Sequence, residues 1–210
     1  MTQPAPHHDL QSWPATAERQ LERAPRTLTL LMAARLITGG GEGLCRLRNI
    51  SATGMMIETG TPLAGDQPLG VELRNGRVLT GRAVWTRDGR AGVHFDAPAS
   101  VEEVVALQGP VSRVRRGRQP RSPRIAVAAV SEVRMGATTL KAQVKDISQG
   151  GACIALPVTA AAEERMMLAI PGLPMKLAIV RWSGERTGLV FAEPLPFELL
   201  SRWLGEQPSP

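Results

Sequence analysis

The 210-residue sequence is 43% hydrophobic and 21% charged, which is typical of a globular protein long enough for two domains. It lacks both an apolar run of the roughly 18–20 residues that cross a bilayer and the pattern of a signal peptide, so we expect a cytoplasmic protein. In that compartment Cys45 and Cys153 are expected to be buried thiols and not a disulfide.

Taken in chain order, the predicted elements are mostly short strands. Residues 1–18 predict a disordered tail. Apolar, β-branched runs then alternate with Gly-containing turns, of which Asn75-Gly76 is the strongest hairpin signal and Pro171-Gly172 its counterpart. Helices are predicted after Ser100, a suitable N-cap, and from Pro196. Without βαβ alternation, this pattern favours small antiparallel barrels or sandwiches.

The segment LRNISATGMMIET (47–59) recurs as VKDISQGGACIAL (144–156). An element with two arginines around a proline precedes each segment, at 23–26 and 118–121, and a Gly-x-x-Phe strand closes each copy, at 92–95 and 188–191. Three landmarks in the same order indicate a duplicated domain. Trp85 and Trp182 hold matching strand positions and are expected to anchor the barrels, and Trp203 to dock the last helix.

The repeat predicts an all-β protein with short flanking helices. Its expected organisation is a tail at 1–18, a first barrel with a C-terminal helix at 19–110, an Arg-rich linker at 111–124, a second barrel with a helix at 125–205, and a tail at 206–210.

Much of the net charge of +6 comes from that linker. No acidic residue lies between Val104 and Ser131, and the stretch contains Arg113, Arg115, Arg116, Arg118, Arg121 and Arg124. Such a run is either a solvated linker or an anion-binding arm. The exclusive use of arginine favours phosphate or guanine recognition, because the guanidinium makes bidentate hydrogen bonds.

The sequence contains no recognisable catalytic constellation. His7 and His8 lie in the tail and His94 in a predicted strand, and none has a Cys, Asp or Glu at metal-ligand spacing. No Ser lies in a nucleophile-elbow pattern. We therefore expect neither an enzyme nor a metal or other cofactor.

The repeated corner has two interpretations. Its Asp or Asn, Ser and Gly can simply build a turn. Alternatively, an Asp carboxylate accepts hydrogen bonds from the N1–H and N2–H₂ edge of guanine, a Gly lets a flat ring approach the backbone, and nearby arginines hold phosphate. Retention in both copies favours a binding role.

At these residues the sequence resembles a tandem of PilZ domains, bacterial receptors for cyclic di-GMP. The family pattern is an RxxxR arm before a six-stranded barrel, followed by (D/N)xSxxG at a strand corner. Both corners match the second motif. The first motif is imperfect, because no two arginines of 113–124 stand four apart, and in the first copy the arginine next to the first strand, Arg26, has Glu22 four residues before it.

The resemblance implies a site for cyclic di-GMP in the second copy, at Arg116, Arg118, Arg121, Arg124, Asp146, Ser148 and Gly151. The first copy offers a secondary candidate, at Arg19, Arg23, Arg26, Asn49, Ser51 and Gly54. The second copy ranks first because Asn49 lacks the charge of Asp146.

The expected function is a non-catalytic cyclic di-GMP receptor that changes its interdomain arrangement on binding and signals to a protein partner, in processes such as motility or biofilm formation. The alternative is a degenerate tandem that acts as a nucleotide-independent interaction module. The scarcity of aromatic residues for base stacking argues against nucleic acid as the partner.

Overall fold

The computed structural model describes residues 28–107 and 122–207. These residues form two closed, six-stranded antiparallel barrels, each followed by one helix, and the prediction of an all-β tandem is confirmed. Barrel 1 consists of β1 (Leu28–Thr38), β2 (Gly41–Ile50), β3 (Gly54–Thr59), β4 (Pro68–Glu72), β5 (Val78–Arg87), β6 (Arg90–Phe95) and α1 (Val101–Ala106). Barrel 2 consists of β7 (Ile125–Met135), β8 (Thr138–Ser148), β9 (Gly151–Ala155), β10 (Arg165–Ala169), β11 (Lys176–Ser183), β12 (Thr187–Phe191) and α2 (Phe197–Glu206).

Both barrels have the same strand order, β1-β2-β3-β6-β5-β4 and β7-β8-β9-β12-β11-β10, closed by pairing of the first strand with the last in each list. The hairpin turns predicted at Asn75-Gly76 and Pro171-Gly172 join β4 to β5 and β10 to β11. Ser100 caps α1 as predicted, because its hydroxyl accepts a hydrogen bond from the backbone N–H of Glu103 at 3.3 Å. The shared order confirms the duplication.

The barrel interiors are filled mainly by aliphatic side chains, which alternate along the strands with outward-facing residues. Cys45 belongs to the core of barrel 1 and is fully buried. Trp203 docks α2 as predicted, since it is buried and its indole N–H donates to the Pro171 carbonyl at 2.8 Å.

Helix α2 packs on both barrels. Its apolar face lies in the core of barrel 2, and Leu44 from β2 of barrel 1 is buried in that same core. Ser201 on α2 is buried, donates to the Leu44 carbonyl at 2.8 Å and accepts the Gly60 N–H at 2.7 Å. A side chain at Gly60 would collide with the α2 backbone at Arg202. The two barrels are therefore joined by a packed interface as well as by the linker.

Charged groups close the edge of this interface. Arg46 on β2 lies over the Phe197 ring, 4.0 Å from its centroid, and pairs with Glu198 at 3.0 Å. The backbone N–H of Glu198, followed by the Arg46 guanidinium, lowers the pKa of the Glu198 carboxyl.

The tail expected at 1–18, most of the predicted linker and the last three residues lie outside the described residues. No helix of the part described is long and apolar enough to span a membrane.

Candidate functional site

The repeated motif forms the turn between β2 and β3 in barrel 1 and between β8 and β9 in barrel 2. The Ser51 hydroxyl donates to the Gly54 carbonyl at 3.1 Å, and Ser148 makes the same bond to Gly151 at 3.1 Å. The turns also accept hydrogen bonds from the chain beyond the last strand: Phe95 N–H bonds Thr53, and Phe191 N–H bonds Gly150, both at 2.9 Å. The motif thus fastens each barrel's last strand to the corner.

The two motif glycines allow a close approach of strands. A Cβ at Gly54 would collide with the Val93 carbonyl oxygen on β6, and a Cβ at Gly151 with that of Leu189 on β12. The turn itself therefore accounts for the Ser and the Gly of each motif. The Asp or Asn is left as the motif residue that the turn does not use.

A β-bulge directs that residue outward. Leu47 pairs with Ile57 and Asn49 with Met56, so Arg48 is an extra residue on β2. Lys145 is the equivalent extra residue on β8. Because a bulge shifts the alternation of side chains by one position, Asn49 and Asp146 leave the core face that they would otherwise share with the residue two positions before them.

The register aligns each outward residue with a tryptophan across four strands. In barrel 1 the row is Asn49, Met56, Gly92 and Trp85. In barrel 2 it is Asp146, Cys153, Gly188 and Trp182. We call these the barrel 1 row and the barrel 2 row.

The prediction that the two tryptophans anchor the barrels was wrong. Trp85 is 37% and Trp182 52% exposed, because β5 and β11 carry bulges directly before them. Each indole lies on the outer face, over the glycine of its row, where any side chain would collide with the ring. The matched Trp and Gly positions were visible in the sequence, but the bulges that turn the rings outward were not.

A groove of about 180 Å³ lies along the barrel 1 row. It is lined by Asn49, Ser51, Met56, Trp85 and His94, among others. An amide, a hydroxyl and an indole thus share one surface. This combination can hydrogen-bond the edge of a flat heterocycle and contact its face.

In barrel 2 the arm reaches the corner directly. Arg124 Nη1 lies 2.5 Å from Asp146 Oδ1, with the two side chains 44% and 29% exposed. Of the residues predicted for this site, Arg124, Asp146, Ser148 and Gly151 therefore lie together. The other predicted arginines, Arg116, Arg118 and Arg121, lie outside the described residues, as do Arg19, Arg23 and Arg26 of the secondary site.

Cys153 lies between Asp146 and Trp182 in the barrel 2 row and is 4% exposed. Burial, followed by the negative charge of Asp146, raises the pKa of its thiol. Both cysteines are free and buried, as predicted, but they are not equivalent, because Cys45 points into a core and its thiol pKa is raised by burial to about 12. Within the described ranges no group of three or more His, Cys, Asp or Glu residues is placed to hold a metal ion.

The sequence profile of the PilZ domain family matches the chain twice, at residues 19–109 and 116–205. The chain is a tandem PilZ-domain protein. The resemblance seen in the two corners is thereby confirmed, and with it the assignment to a family of non-catalytic binding domains. A comparison with curated protein sequences found no significant match.

Solved structures with a similar course of the chain include three that carry PilZ-type names. The PlzA protein of Borreliella burgdorferi in complex with c-di-GMP is 12% identical, with a TM-score of 0.36, over 84% of this chain and 88% of that one. The inhibitor of motility MotI/DgrA of Bacillus subtilis is 13% identical, with a TM-score of 0.35, over 84% and 96%. Escherichia coli YcgR in complex with c-di-GMP is 14% identical, with a TM-score of 0.32, over 83% and 80%.

Proposed function

We propose that this tandem PilZ protein is a cytoplasmic receptor for cyclic di-GMP and that barrel 2 is its principal binding domain. The observation that carries the proposal is the contact of Arg124 with Asp146 at 2.5 Å, on the same outward row as Trp182. A carboxylate, a guanidinium and an indole are the groups that recognise the edge, the phosphate and the face of a guanine nucleotide.

The proposed binding begins with an exchange of partners at Asp146. Its carboxylate accepts the guanine N1–H and N2–H₂ groups, and Arg124 turns from the carboxylate to a phosphate oxygen. Because the Arg124–Asp146 pair is partly exposed, breaking it costs about 1 kcal/mol or less. The remaining arm arginines, Arg116, Arg118 and Arg121, supply further phosphate contacts and compensate for the imperfect RxxxR spacing.

The arm belongs to the segment that joins the barrels, so closing it on a ligand changes the interdomain arrangement, and the changed surface is read by a protein partner. This rearrangement acts against the interface of α2 with β2 and β3. A spin-label distance between the two barrels, measured with and without cyclic di-GMP, tests this part of the proposal. An unchanged distance distribution at saturating ligand would contradict it.

Calorimetric titration of the full chain with cyclic di-GMP tests the ligand, with GTP and single-stranded DNA as controls. We expect saturable binding of cyclic di-GMP that is weakened about tenfold or more in Asp146→Ala and in Arg124→Ala, because each substitution removes a charged hydrogen bond. Salt-sensitive binding of DNA without binding of the dinucleotide would instead indicate a nucleic-acid arm.

The alternative function is a nucleotide-independent interaction module. It is favoured by the roles of Ser51, Ser148, Gly54 and Gly151 in the turns, since a barrel needs these residues whether or not a ligand binds. A chain that binds none of the nucleotides in the titration would support this alternative.

A further inference from the structure

A second crevice, of about 460 Å³, lies between the barrels. The turn from β5 to β6 in barrel 1 contributes Arg87 and Arg90, and α2 of barrel 2 contributes Arg202. The chain at 59–63 lines the crevice between them. The three guanidinium groups therefore come from both domains.

The positive charge of this crevice is not neutralised by the described residues around it. Arg87 pairs with Asp88 at 3.2 Å. Arg90 and Arg202 have no carboxylate within 4.0 Å in the described ranges. The nearest acids by register and helical spacing are already engaged. Glu58, opposite Arg90 on β3, pairs with Arg48 at 3.1 Å, and Glu198, one turn before Arg202, pairs with Arg46 at 3.0 Å.

Backbone hydrogen bonds hold the two sources of arginine in a fixed relation. The Gly89 carbonyl, in the turn between Arg87 and Arg90, accepts the Thr59 N–H at 2.8 Å. The next residue, Gly60, donates to Ser201 on α2 at 2.7 Å. The backbone of Arg202 packs directly against Gly60. The crevice is therefore formed before any ligand arrives, which lowers the entropic cost of binding.

The crevice is separate from the corner of barrel 1. Strand β3 begins at the corner with Gly54 and ends at Thr59 in the crevice. At a rise of about 3.3 Å per residue, the two ends of this strand lie about 17 Å apart. A ligand in the crevice is thus distinct from a nucleotide at the corner.

We propose that this crevice binds a small phosphorylated anion, which bridges Arg90 of barrel 1 and Arg202 of barrel 2. The guanidinium fork matches phosphate oxygens, and the volume lies within the usual range for small-molecule sites. Because the ligand contacts both barrels, it stabilises their packed arrangement and opposes any rearrangement driven from the corner.

Inorganic pyrophosphate is the probe, and amide NMR of the ¹⁵N-labelled full chain is the measurement, at constant ionic strength. The arginine-rich arm also attracts anions, so the readout must be local. We expect saturable shifts of the Gly60 and Gly89 resonances, with an affinity about tenfold lower in Arg90→Gln and in Arg202→Gln. Arg165→Gln, an exposed arginine outside the crevice, is the matched control and should bind like the wild type.

Shifts of Gly60 and Gly89 that do not saturate, or that are equally weakened in Arg165→Gln, would overturn the proposal. So would retention of full affinity in both crevice variants, whose unliganded spectra report whether they are folded. Asp146→Ala separates this site from the corner, since it should lose cyclic di-GMP and still bind pyrophosphate at the crevice.

Discussion

Arg124 and Asp146 form an ion pair, 2.5 Å between Nη1 and Oδ1, that joins the end of the arginine-rich arm to the corner of barrel 2. Both side chains are partly exposed, so we expect the pair to contribute less than about 1 kcal/mol to stability. A double-mutant cycle of Arg124→Ala and Asp146→Ala, followed by urea unfolding, measures this coupling. A coupling of several kcal/mol would show that the pair is structural and not poised for exchange.

The corner glycines offer a direct test of which motif residues the fold itself requires. Gly151→Ala should destabilise barrel 2 by about 1–3 kcal/mol, because the new methyl group meets the Leu189 carbonyl oxygen. Gly150→Ala is the matched control, since a Cβ there meets nothing within 4 Å. Urea unfolding of the two variants should separate them, and equal stabilities would contradict the structural role of Gly151.

Trp182 lies on the outer face of barrel 2, so its removal should cost little stability. If its indole stacks on a bound guanine, Trp182→Ala should weaken cyclic di-GMP binding about tenfold or more. Trp85→Ala, the equivalent change in barrel 1, should leave this binding unchanged. Calorimetry on both variants checks the expectation, and a larger loss in Trp85→Ala would move the principal site to barrel 1.

Ser201 is the buried hydrogen-bonding centre of the interface between the barrels. In Ser201→Ala the Gly60 N–H loses its acceptor, while the Leu44 carbonyl keeps its bond from Thr59 at 2.9 Å, so we expect a loss of about 1–3 kcal/mol. We also expect separate unfolding transitions for the two barrels. Ser131→Ala is the control, because its buried hydroxyl bonds Ala142 within barrel 2. Calorimetric melting that stays a single transition in Ser201→Ala would contradict the role of this interface.

Glu198 makes the same interface sensitive to acid. Its pKa is lowered in the folded protein, so its contribution to stability is complete above the ordinary value of 4.5 and is lost as the pH falls through the lowered value. Between about pH 6 and about pH 3 the wild type should therefore lose more stability than Glu198→Gln. Glu193→Gln, an exposed acid without an ion pair among the described residues, should follow the wild type in the same urea titrations.

The architecture was predictable because it depends on local patterns that the chain writes twice. The Asn75-Gly76 turn, the Ser100 cap and the duplicated corner each specify a structure over a few residues. The outward rows were not predictable, since a one-residue bulge at Arg48 or Lys145 reverses the faces of all that follows. Nor was the burial of Leu44 in the core of barrel 2, which depends on how two finished domains meet.

The central claim is that Asp146, and not its counterpart Asn49, holds the nucleotide. Calorimetric titration of cyclic di-GMP into the wild type, Asp146→Ala and Asn49→Ala compares the two corners under identical conditions. We predict saturable binding that falls about tenfold or more in Asp146→Ala and is unchanged in Asn49→Ala. Undiminished binding in Asp146→Ala, or a wild type that does not bind, would contradict the claim.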